Sequence, residues 1–95
     1  NLELVPIFER EMLAESSMGD IDFEHQLLAV FEETAPQMIS EYESAVWAGA
    51  DQDAHRAAHS LKGSSRALGM MRLGAIAEVL EQWVKAGRRE DAPYS

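Results

Sequence analysis

The stretch Ala54-His55-Arg56-Ala57-Ala58-His59-Ser60-Leu61-Lys62-Gly63-Ser64-Ser65-Arg66-Ala67-Leu68-Gly69 governs how the rest of the chain is read. Ala54, Ala58, Leu61, Ser65 and Leu68 recur at steps of three or four, the spacing of one helix face. With Ala54 at zero and about 100° per residue, these five fall within roughly 40° of zero. On the same wheel Lys62 lies at about 80°, Arg66 at about 120°, His59 at about 140° and Gly63 at about 180°. The helix is expected over residues 52–68, with Gly69 closing it. It buries small and apolar side chains and turns His59 and Gly63 outward.

The same periodicity continues on both sides. Phe23, Leu27, Phe31, Ala35, Met38, Tyr42 and Val46 keep one face apolar and predict a helix over 21–48. Pro36 removes one backbone donor and is expected to kink this helix rather than end it, because the stripe resumes in register. Asp20 or Asp22 can cap its start, Gly49 stops it, and Asp51 is the expected cap of the next helix. Beyond Gly69, the residues Leu73, Ile76, Ala77, Leu80, Trp83 and Val84 predict a buried face for a helix over 71–86, followed by Gly87. Ahead of all these, Leu4, Val5, Phe8 and Met12 predict a short helix over 2–16, broken at Ser17-Met18-Gly19-Asp20. No strand pattern, internal repeat or low-complexity run is present. Connections this short make consecutive helices antiparallel neighbours. The fold class is therefore all-α, an antiparallel up-and-down helical bundle. It forms a single domain over 1–95, with 88–95 expected to fray.

Composition bounds the function. The 95 residues are 46% hydrophobic and 26% charged, as in an ordinary soluble globular domain. The absence of cysteine removes disulfides, thiolate zinc sites and a cysteine nucleophile together. No apolar run approaches the ~18 residues of a membrane span, and no leader pattern is seen, so a cytoplasmic setting with no membrane partner is expected. A chain starting at Asn1 rather than methionine is expected to be an excised domain or a trimmed chain. The net charge of -9 argues against nucleic acid, where binding rests on lysine and arginine neutralising phosphates. The charge is uneven: residues 1–53 hold 13 of the 17 acids and one base, Arg10, whereas 54–95 hold the other 4 acids and 7 bases. A positive segment inside an acidic protein favours a small anion.

Gly63 sharpens that hint. Glycine inside a helix costs about 1 kcal/mol relative to alanine. The cost is compensated if the missing side chain, one turn from His59, clears an approach to the imidazole. Neutral imidazole is nucleophilic near pH 7, and Lys62 at i+3 favours the neutral form. An added phosphoryl group would then sit beside the ammonium of Lys62 and, farther along, the guanidinium of Arg66.

Residues 59–69 also fit, at every named position, the pattern H-x-L-K-G-[SA]-[SA]-x-x-L-G, through His59, Leu61, Lys62, Gly63, Ser64, Ser65, Leu68 and Gly69. The chain thereby resembles the histidine-containing phosphotransfer (HPt) domains of bacterial-type multistep phosphorelays. The resemblance runs over residues 20–87, through Ala35-Pro36, Ala48-Gly49-Ala50-Asp51, Leu73, Ala77 and Leu80-Glu81. It implies that His59 takes a phosphoryl group from the aspartate of one response-regulator receiver domain and gives it to another. Lys62 would stabilise the phosphohistidine, Gly63 would leave the approach open, and Ser64 and Ser65 would belong to the helix-packing part of the motif. Partners would be receiver domains and a hybrid sensor kinase. No cofactor is implied on this chain, since the receiver brings its own Mg²⁺, and no glycine-rich phosphate loop for ATP is visible.

Counting along antiparallel helices sets His59 level with Glu41 and Tyr42 on the second helix and with Leu80 and Glu81 on the fourth. Glu81 is thus a candidate to hydrogen-bond the imidazole or pair with Lys62. Ile39 and Leu28 are candidates for core or for a receiver-docking patch. One departure from the family pattern stands out: HPt bundles usually carry a further helix after the fourth segment. Either the helix over 2–16 fills that place or a second copy does, giving a homodimer.

Two other readings compete. His55 and His59, at i and i+4, share a face as zinc ligands do, but Arg56 stands where a helical metalloprotease needs its glutamate. On this basis no metal is expected, and His55 and His25 read as surface residues. A helical adaptor binding a partner through an apolar groove would explain the stripes but not Gly63 and its basic surround.

Overall fold

The helices start and stop where the local chemistry directs. Residues 2–87 are described by the computed structural model, in which α1 spans Arg10–Ser17, α2 Ile21–Ala48, α3 Asp51–Ala67 and α4 Met71–Lys85. A 3-10 turn, Leu2–Leu4, precedes them. The architecture is the expected all-α bundle, with no strand among the described residues. The fraying expected for 88–95 lies outside the described residues.

Asp20 caps α2, its carboxylate accepting from the Phe23 backbone N–H at 3.2 Å, and Gly49 ends the helix at φ 73°. Between them the helix is continuous through Pro36. Ala50, not Asp51, occupies the cap position of α3, and Asp51 is its first helical residue. There its carboxylate still complements the positive helix end.

The first helix differs most from expectation. It begins at Arg10 rather than near residue 2, because Pro6 has no N–H to give and disfavours a helical Val5 before it. Residues 5–9 instead run as a strap over the α3–α4 turn. Arg72 donates to the Val5 carbonyl from Nε at 3.2 Å and Nη2 at 3.0 Å, and the Glu9 N–H donates to Gly69 O at 2.8 Å. Leu4 is consequently exposed, and Leu13, outside the predicted stripe, is buried on α1 together with Ser17.

α3 is the central element, packed by α2 on one side and α4 on the other. Among the described residues no Cα of α2 comes within 8 Å of one of α4. Ala54, Ala58, Leu61, Ser65 and Leu68 are all buried, as the wheel requires. The core falls into two clusters. One joins Leu13, Phe31, Ala35, Leu61, Leu68 and Ala77. The other joins Tyr42, Ala45, Ala54, Ala57, Ala58 and Val84, and the Tyr42 hydroxyl crosses to Leu80 O at 2.9 Å. α1 contributes to the first cluster only, so it covers one end of the bundle and not its whole length. On α4, Leu73, Leu80 and Trp83 are half-buried against these clusters, whereas Ile76, expected inside, is exposed. Glu24 is also buried, held by the guanidinium of Arg10 at 3.0 and 3.4 Å.

Candidate functional site

The outward flank of α3 that looks toward α4 carries His55, His59 and Lys62, and all three converge on one carboxylate. Glu81 of α4 is only 4% exposed. Its Oε1 accepts from Lys62 Nζ at 2.6 Å, and its Oε2 lies 2.8 Å from His59 Nδ1. His55 Nε2 stands 3.1 Å from the same Oε2, and the His55 and His59 rings are nearly parallel, with centroids 6.1 Å apart and 10° between planes. Helix periodicity explains the convergence on the α3 side, since positions 55, 59 and 62 lie along one stripe of turns.

Burial pushes the Glu81 carboxyl up, but hydrogen bonds from Lys62 and His59, reinforced by their charge, outweigh it, and the carboxyl is held below its ordinary value of 4.5. An ionised carboxylate can only accept. His59 Nδ1 must therefore carry the proton of that bond, which leaves the lone pair on Nε2. Among the described residues Nε2 has no hydrogen-bond partner, and the His59 side chain is 65% exposed. The ring is anchored at one nitrogen and open at the other.

Gly63 follows one turn along. A Cβ built on it meets nothing within 4 Å, so the folded chain itself has no packing need for glycine here. Gly69 and Gly74 contrast with it. A Cβ at Gly69 (φ 83°) runs into the Glu9 carbonyl oxygen, and one at Gly74 sits 2.8 Å from Arg66 Cγ.

The remaining sequence candidates spread out. Arg66 reaches across to Glu78 at 3.4 Å, with its stem over Gly74. Ser65 is fully buried and its hydroxyl has no partner among the described residues, while Ser64 is exposed. Leu28 packs on the core and Ile39 is exposed. Glu81 sits at the level the antiparallel count gives. What that count missed is His55, read as a surface residue: its Nε2 reaches the Glu81 carboxylate. The i, i+4 spacing with His59 was the available signal. Among the described residues no helix is long and apolar enough to cross a membrane.

The bundle presents the exposed His59 imidazole on a buried carboxylate and a largely shielded ammonium, an arrangement suited to a phosphocarrier scaffold. The family comparison agrees with that geometry: the model of the Hpt domain matches residues 26–95, and the chain belongs to the Hpt domain family. No curated protein and no solved structure matches the chain. Hpt domains are phosphocarriers of phosphorelays, working with receiver domains and kinases of two-component signalling.

Proposed function

We propose that the chain is a phosphorelay intermediate in which His59 accepts a phosphoryl group from a receiver aspartate and passes it to a second receiver. The observation that carries this reading is the asymmetry of the imidazole, with Nδ1 held by Glu81 and Nε2 open. In the forward step the Nε2 lone pair attacks phosphorus, the P–O bond to the aspartyl carboxylate breaks, and its electron pair returns to that carboxylate. His59 keeps its Nδ1 proton, so the phosphorylated ring carries positive charge that the Glu81 carboxylate balances. The return step reverses these bonds on the next aspartate.

Lys62 stabilises Glu81 in its buried place and supplies positive charge three residues from the phosphoryl group. Gly63 leaves room for the incoming receiver surface. Arg66 is neutralised by Glu78 and contributes only at a distance. Transfer of this kind depends on positioning and charge stabilisation. The Mg²⁺ it needs belongs to the receiver, so this chain needs neither a metal nor an ATP site of its own. The relay belongs in the cytoplasm, with its receivers.

The test is incubation with a phosphorylated receiver. His59 should acquire an acid-labile, alkali-stable label, and His59→Gln should remove it while leaving helix content and melting nearly unchanged. A helical adaptor acquires no such label, and that result would sink the proposal.

A further inference from the structure

His55 is the one member of the Glu81 cluster to which the proposed reaction gives no task. Its side chain is 41% exposed, and its Nε2 lies within ion-pair distance of an oxygen already holding the reactive ring. Nothing in the core requires an imidazole at this position. From α4 it is faced by Glu81 and, across a shallow groove, by Lys85; from α3 the same groove carries Asp51, Arg56 and His59.

A carboxylate on a flexible side chain holds a ring only as firmly as it is itself held. Lys62 fixes Oε1. Without a second restraint, Oε2 can swing about that anchor and take His59 Nδ1 with it or release it. His55 stands where such a restraint is needed, with its Nε2 3.1 Å from the same Oε2 and its ring nearly parallel to the ring being positioned.

We propose that His55 is a positioning residue for His59, restraining Glu81 Oε2 through its own Nε2 so that His59 stays in the Nδ1–H form with Nε2 free. The inference rests on the phosphocarrier reading of His59 and deepens it. Orientation of this kind is set by the residues behind a reactive group as much as by the group itself.

The experiment uses the full chain and two readouts. The first is the ¹⁵N signature of the His59 ring, which reports the tautomer in the free protein without any donor. The second is the rate of His59 phosphorylation by phosphoramidate, in which Nε2 attacks phosphorus and ammonia leaves. His55→Leu should reduce the occupancy of the Nδ1–H form and slow phosphorylation by about tenfold, as expected for a nucleophile present but poorly aimed. His55→Gln, whose amide can donate to Oε2, should restore both. The proposal is overturned if His55→Leu leaves the tautomer and the rate at their original values. It is equally overturned if His55→Gln fares no better than His55→Leu, which would indicate a role in bulk packing. Should the unaltered chain take up no phosphoryl group at all, the phosphocarrier reading fails, and the ring signature still judges His55 on its own.

Discussion

Lys62 Nζ and Glu81 Oε1 meet at 2.6 Å across the α3–α4 interface, with the ammonium largely shielded and the carboxylate almost wholly so. The pair is what makes a buried acid tolerable beside the reactive ring. Removing one partner would leave the other uncompensated.

Glu81→Gln tests that relationship through pH. The carboxyl is held below its ordinary 4.5, so ionised Glu81 contributes stability above that value and the contribution is lost as pH falls through the lowered folded value. The variant should be less stable by about 1.5–3 kcal/mol near neutrality, the range for hydrogen bonds to charged groups. The difference should shrink on acidification below the ordinary value. Urea unfolding at a series of pH values measures it, and a pH-independent difference would contradict the assignment.

Lys62→Ala should shorten the lifetime of phosphorylated His59 or slow its transfer by roughly three- to tenfold, as for an electrostatic contact of about 1 kcal/mol. Decay of the acid-labile label, followed with and without a receiver, separates the two effects.

Gly63 separates folding from docking. Gly63→Ala should raise helix stability by up to about 1 kcal/mol, since its new methyl meets nothing. Gly63→Gln should slow phosphoryl uptake from a receiver while leaving uptake from phosphoramidate near its original rate, because only the larger donor needs the space.

At the opposite end of the bundle, Leu13→Ala should cost about 2–5 kcal/mol by opening a cavity in the cluster it shares with Phe31 and Leu61. Gly69→Ala should also destabilise, by more than the ~1 kcal/mol left-handed penalty, because its methyl meets the strap carbonyl of Glu9. Thermal unfolding reads both, and each variant should still accept phosphoryl at temperatures where it is folded.

The parts of this molecule that were legible in its sequence are those set by neighbours along the chain. The α3 face, the cap at Asp20 and the left-handed stops at Gly49 and Gly69 all depend on residues within a turn or two. Glu81 was reachable because antiparallel counting fixes level. The strap over Gly69, the Arg10–Glu24 pair and the reach of His55 to Glu81 were not, because they depend on how helices rotate and tilt against one another. Nor was the start of α1, where an apolar spacing compatible with a helix was overridden by Pro6 and by tertiary bonds to Val5 and Glu9.

Four of the six buried residues in the second core cluster are alanines, Ala45, Ala54, Ala57 and Ala58, set beside Tyr42 and Val84. Alanine has no rotamers to freeze or exchange, so these four positions leave α3 little freedom to rearrange when another molecule presses on its outer face. Successive visitors should therefore encounter the same unyielding platform. Little ordering entropy is then spent on each encounter, which suits a carrier that must engage one protein, let go, and engage the next.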